Sequence, residues 1–134
     1  MRLQALRGAT TCTEDSKAEI NAKTARLLQE LFARNDLAPD DVVSMVFTST
    51  PDLTAEFPAT AARAALALDG VALLGAQEQA VVHGTPRCIR VLVHCYSERS
   101  REELCHVFLE DAASLRSDLA SDGPHSAARD DVAE

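Results

Sequence analysis

Apolar and polar positions along this chain switch between two periods, and the switches mark its elements. From Arg2 to Thr10 the alternation is that of a strand, with Leu3 and Ala5 opposing Gln4 and Leu6. Gly8, near the strand end, points to close backbone approach or a bulge. Ser16 followed by Glu19 is a capping box, and Ile20, Leu27, Leu28, Leu31 and Phe32 then recur at helical spacing. That helix is expected to stop near Asn35, ahead of Pro39. Val42 to Thr48 (VVSMVFT) is β-branched and apolar on both faces, the pattern of a central strand, and Ser49-Thr50-Pro51-Asp52 breaks it.

Pro58 suits the first position of a second, alanine-rich helix running to about Leu68. Asp69-Gly70 then turns the chain into a third strand, Val71 to about Val81. His83-Gly84-Thr85-Pro86 makes the next turn, followed by a strand from Arg87 to Tyr96 (RCIRVLVHCY). Ser100 and Glu103 form a second capping box over a short helical turn, and Val107 to Leu109 is a final strand. The order β-α-β-α-β-β, then a short helix and a strand, mixes hairpins and crossovers. A mixed sheet of the α+β class, α/β-like, with its helices on one face, is the expected fold.

The 134 residues are expected to form one domain over 1–119, since apolar content is lost in the acidic tail 120–134, which reads as disordered. Net charge is −8 and no Lys/Arg cluster is interleaved with aromatics, so neither nucleic acid nor a membrane is an expected partner. No apolar run approaches the roughly 20 residues of a membrane span. The chain opens almost directly on strand-like sequence without a charged-then-apolar leader, and the cytoplasm is the expected compartment. Cys12, Cys88, Cys95 and Cys105 show no CxxC pair and no Cys/His spacing, so no metal is expected.

Against this background one residue stands out. In the strand Arg87 to Tyr96, Ile89, Val91 and Val93 share one face, while Cys88, Arg90, Leu92 and His94 share the other. Both faces are largely apolar, which predicts a strand covered on both sides and a guanidinium that has lost water. An unpaired buried charge costs on the order of several kcal/mol, so Arg90 needs a carboxylate or an anion from outside. A hairpin folded symmetrically about Gly84 places Glu78 directly across from Arg90. For such a pair the ordinary reading is a structural salt bridge. Arg7 at the end of a strand, Arg63 on the second helix and Arg116 after the last strand are more cations than Glu78 can satisfy, and a small dianion would satisfy the excess.

The segments LRGATT (Leu6 to Thr11), STPDL (Ser49 to Leu53), FPA (Phe57 to Ala59), QE (Gln77, Glu78), CIRV (Cys88 to Val91), HVFLE (His106 to Glu110) and LRSDL (Leu115 to Leu119) together resemble the trimeric, mixed α/β class of chorismate mutase. The resemblance runs in order from about Arg2 to Leu119. It implies a homotrimer with a barrel-like β core, one active site at each subunit interface, chorismate as the small-molecule substrate, and no cofactor. By the same resemblance Arg90, Glu78 and Arg7 are catalytic and come from one subunit, while Phe57 and Arg63 approach from its neighbour. Ala59, Leu74, Gly75, Phe108, Leu115 and Arg116 complete the implied substrate contacts. Two positions depart from the pattern: Phe108 stands where a tyrosine is expected, and Gly75 replaces a larger residue. Two other readings remain at this point, a trimeric deaminase of enamines or imines and a non-catalytic module that binds an anionic metabolite.

Overall fold

The structure, a computed structural model, describes residues 1–115; Arg116 and the tail 120–134 lie outside the described residues. Five strands form one sheet: β1 (Arg2–Thr11), β2 (Val42–Ser49), β3 (Ala72–Gln77), β4 (Cys88–Ser97) and β5 (Val107–Phe108). Two helices, α1 (Lys17–Asn35) and α2 (Pro58–Leu66), accompany them. Three short 3-10 turns cover Pro39–Asp41, Arg101–Glu103 and Glu110–Ser114, and the last of these is not signalled by the sequence pattern. The strand order is β3-β2-β4-β1-β5. β4 runs antiparallel between β1 and β2, while β3 and β5 add parallel at the two edges.

Local chemistry explains the helix ends. Ser16 Oγ accepts from the Glu19 backbone N–H at 3.1 Å, whereas the Glu19 carboxylate turns to Thr13 N at 2.9 Å, so the expected box is only half formed. α1 stops at Asn35, as its sequence predicts, and Asp36 takes the left-handed conformation at φ 55°. The buried Asn35 side chain then fastens this end to Cys105, donating to its carbonyl and accepting from its N–H at 2.8 and 2.7 Å. α2 begins with Pro58 as expected but closes at Leu66 rather than Leu68, because Ala67 already adopts φ 52°.

Both helices pack on one face of the sheet, α1 over β1 and β5, α2 over β2 and β3. Leu6, Met45, Phe47, Val91 and Val93 point into that layer and meet Leu27, Leu28 and Leu31 of α1, all fully or nearly fully buried. Each such side chain contributes roughly 1.5–3 kcal/mol when withdrawn from water. Gly8 is a site of close approach and not of a bulge: the β1–β4 register is unbroken, and a Cβ at Gly8 would lie 2.8 Å from Leu31 Cδ1.

Two expectations are corrected. β3 does not form a hairpin with β4; it ends at Gln77 rather than near Val81 and pairs with β2, which lies between them. Among the described residues β4, moreover, is covered on one face only. Ile89, Val91, Val93 and Cys95 are buried beneath the helices, but Leu92 and Tyr96 are 37% and 46% exposed on the other side. The rows Leu74–Val46–Leu92–Arg7 and Ala76–Thr48–Arg90–Ala9 run across this open face in register.

Loops tie the open face's upper edge to the first helix. Asp52 accepts from the Arg87 backbone N–H at 3.0 Å, and Cys88 N donates to Thr50 Oγ1 at 2.9 Å, fixing where β4 begins. Asp15 accepts from the Thr54 hydroxyl at 2.7 Å and from the Thr54 and Ala55 backbone N–H groups at 2.9 and 3.0 Å. The Thr54 hydroxyl first, then the two N–H groups, hold the Asp15 carboxyl below its ordinary 3.8.

Two tests follow from the packing and the loop. Gly8→Val should destabilise the fold by about 1–3 kcal/mol through overpacking against Leu27 and Leu31, read as a lower urea midpoint at unchanged slope. Because the Asp15 value is depressed on folding, its contribution is present above the unfolded value of 3.8 and is lost as pH falls through the lower folded value. The stability gap between wild type and Asp15→Asn should therefore be open at about pH 6 and narrow progressively as pH is lowered below 3.8, in denaturation curves across that range.

Candidate active site

Arg90 leaves β4 on the open face, directly opposite Thr48 of β2 and Ala9 of β1. Its Nε is buried and lies 3.0 Å from Glu78 Oε2, yet that contact is off the N–H axis and no aligned hydrogen bond reaches Nε. The two side chains are 28% and 15% exposed, so the attraction acts across a largely dehydrated gap. Glu78 arrives at Arg90 by a different route from the one its spacing predicts. It follows the end of β3, where its N–H donates to Ser49 O at 2.8 Å, and its side chain then reaches over β2 to β4. Along this route it passes Thr48, whose hydroxyl donates to Glu78 Oε2 at 2.6 Å.

Arg7 lies one row below on the same face, paired in register with Leu92. Its guanidinium sits 5.8 Å from the centroid of the Phe108 ring, within the range of a cation–π contact worth about 0.5–2 kcal/mol. Phe108 is 8% exposed, so the ring that stands in place of an expected tyrosine serves as a floor under Arg7. The Arg7 backbone N–H donates to His106 Nδ1 at 3.0 Å, which fixes that nitrogen as the acceptor of the ring.

Two cavities meet at Arg90. One of about 530 Å³ is lined by Thr50, Asp52, Glu78, His83, Arg90 and Leu115. A smaller one of about 230 Å³ contains Arg7, Thr48, Arg90 and Leu92. Two residues before Arg90 in β4, the buried Cys88 has its thiol pushed up by burial against the opposing influence of the Arg90 guanidinium. Among the described residues no group of three or more His, Cys, Asp or Glu side chains is placed to hold a metal ion.

Arg7, Glu78, Arg90, Phe108 and Leu115 are thus gathered around one strip of the open face. The remaining candidates are not. Phe57 is 73% exposed at the N-terminus of α2, while Ala59 and Arg63 lie on α2 itself. That helix packs against the opposite side of the sheet, and none of the three lines either cavity. Leu74 stands in the open face on the edge strand, 64% exposed. Gly75 pairs with Phe47, and a Cβ there would meet nothing nearer than Phe47 O at 4.0 Å, so the glycine leaves empty space and answers no backbone demand. Arg116 lies outside the described residues. Sequence reading missed Thr48 and His106. The available signals were a hydroxyl near the end of a largely apolar strand and a histidine just before β5.

The sequence family described as chorismate mutase type I matches residues 3–119. The chorismate mutase AroH of Bacillus subtilis is 38% identical over 120 residues, covering 90% of this chain and 94% of its own. The chorismate mutase AroH of Thermus thermophilus is 37% identical over 120 residues, covering 89% and 98%. A solved structure of a chorismate mutase from Clostridium thermocellum superposes with a TM-score of 0.81 at 39% identity, covering 84% of this chain and 99% of that one. These relatives support neither the deaminase reading nor the non-catalytic one. With a matching family over nearly the whole described chain, a matching fold and a cation-bearing cleft, the chain belongs to the type I chorismate mutases.

Proposed function

We propose that the protein converts chorismate to prephenate, the reaction of its family, by electrostatic stabilisation of the transition state at Arg90. The observation that carries the reading is the Arg90 guanidinium itself, buried at Nε, unaligned with the Glu78 carboxylate, and facing a cavity large enough for a small dianion. The rearrangement breaks the enol-ether C–O bond and forms a C–C bond within one molecule, so no atom is gained or lost. C–O cleavage runs ahead of C–C formation, and negative charge develops on the ether oxygen. A fixed cation at that oxygen is stronger in the transition state than in the ground state, which is the condition for catalysis. Groups of this kind are worth about 3–4 kcal/mol.

Arg7, one row away, holds a substrate carboxylate and selects the folded diaxial conformer, an effect of orientation. Glu78 accepts the ring hydroxyl and faces the positive charge that develops on the ring. Phe108 supplies no hydroxyl for a second carboxylate contact, and Gly75 supplies no side chain. Both weaken ground-state binding and leave the cationic set intact.

The site is completed by a second copy of the chain, in a trimer. What supports this is the open sheet face, where Leu3, Leu74, Leu92 and Tyr96 are exposed, together with the position of Phe57, Ala59 and Arg63 behind the sheet of their own protomer. Packing the open faces together buries the apolar rows as a barrel-like core. It also brings Phe57, Ala59, Arg63 and Leu74 of one copy toward Arg7, Glu78 and Arg90 of the next. Leu115 borders the opening, and the family resemblance assigns Arg116, the next residue in the chain, a part in substrate binding. The four free thiols accord with a cytoplasmic protein.

Two measurements test the reading. Arg90→Ala should lower turnover by at least about 10²-fold, followed as loss of chorismate absorbance, with the trimer still assembled by sedimentation. A wild-type rate would remove Arg90 from the mechanism. Mixing inactive Arg90→Ala protomers with inactive Arg63→Ala protomers should restore part of the activity, because one interface type in the hybrids carries both intact arginines. If the two arginines served one protomer's own site, no mixture would recover.

A further inference from the structure

We propose that Thr48 is a positioning residue for this reaction, holding the Glu78 carboxylate so that it cannot close fully onto Arg90. The inference rests on the catalytic roles proposed for Glu78 and Arg90. Thr48 stands directly opposite Arg90 in the β2–β4 register and lines the same small cavity. Its hydroxyl donates to Glu78 Oε2 at 2.6 Å, the short distance of a charge-assisted bond. That is the same oxygen from which Arg90 Nε lies 3.0 Å away without alignment. Apart from Arg90 the row holds only Ala76 and Ala9, which carry no polar side-chain atom, so neither takes over this bond.

The physical consequence concerns competition. Arginine and carboxylate side chains favour a parallel, two-point contact. Were Glu78 free to rotate into that contact, the guanidinium would be neutralised by the protein and withdrawn from substrate. The Thr48 hydroxyl claims one carboxylate oxygen and fixes the carboxylate plane over β2. Arg90 then keeps its charge without keeping a full partner. Both of these contacts fall on Glu78 Oε2, which leaves Oε1 as the oxygen for a ligand hydroxyl.

A double-mutant cycle on the full-length protein tests this, using Thr48→Val, which keeps shape and β-branching, and Glu78→Ala. Thr48→Val should lower kcat/KM for chorismate by about tenfold or more, and Thr48→Ser should recover activity to within about threefold of wild type. In the Glu78→Ala background, adding Thr48→Val should change kcat/KM by less than about twofold, because the hydroxyl acts only through the carboxylate. A merely structural threonine would cost the same factor in both backgrounds, and that result would overturn the proposal. So would wild-type kinetics for Thr48→Val, or failure of Thr48→Ser to recover. Thr48→Ala carries the same comparison should the valine variant not assemble, with melting and sedimentation recorded for each. Wild-type activity of Glu78→Ala alone would instead sink the catalytic role of Glu78. An impaired Glu78→Ala with an additive Thr48→Val would sink only the positioning role.

Discussion

A guanidinium withdrawn from water and left with an imperfect partner is the constraint around which this fold is arranged. Arg90 sits in β4, a strand held between β1 and β2 by antiparallel ladders on both sides, so its backbone cannot yield to relieve the charge. Glu78 compensates from the end of β3, but its Oε2 is shared with the Thr48 hydroxyl and presents no aligned acceptor to Arg90 Nε. A fully satisfied pair would stabilise the protomer more and leave nothing for a ligand. The arrangement keeps positive potential at one point of a low-polarity wall, and there an oxygen gaining electron density is stabilised most.

The two faces of the sheet divide the work. One is sealed by α1 and α2 over an ordinary aliphatic core, with the Gly8 backbone lying close to Leu31, which makes the platform rigid. The other is left uncovered by the described residues, apolar along its rows and bearing Arg7 and Arg90. An exposed apolar face of this kind is what the proposed trimer would cover. In the proposed trimer the same burial that joins copies also dries the arginines and delivers Arg63 and Phe57 from behind a neighbouring sheet. Assembly and catalysis then depend on one surface.

Much of this was legible in the sequence. The first helix and its end at Asn35, the Ser16 cap and Pro58 at a helix start lie where their patterns predict, because those signals are local. Arg90 was legible as an anomaly, a charge in an apolar alternation. Its link to Glu78 was legible for a mistaken reason. Symmetry about Gly84 predicted a β3–β4 hairpin, whereas β2 separates those strands and the pair closes diagonally across Thr48. Strand periodicity reports which side chains share a face, not which strand lies next door. For the same reason the apolar second face of β4 predicted a cover that the described residues do not provide. Thr48 and His106 stayed hidden because each acts through a partner distant in sequence, 30 and 99 residues away.

The most direct test of the central claim is steady-state turnover of chorismate by Arg90→Lys, which keeps the positive charge but replaces a rigid planar fork with a mobile point charge. The account predicts an assembled protein with kcat reduced by about 10²-fold or more, since placement of the charge in the transition state is what catalyses. Turnover at the wild-type kcat would contradict it, showing that charge alone, without a fixed guanidinium, is enough.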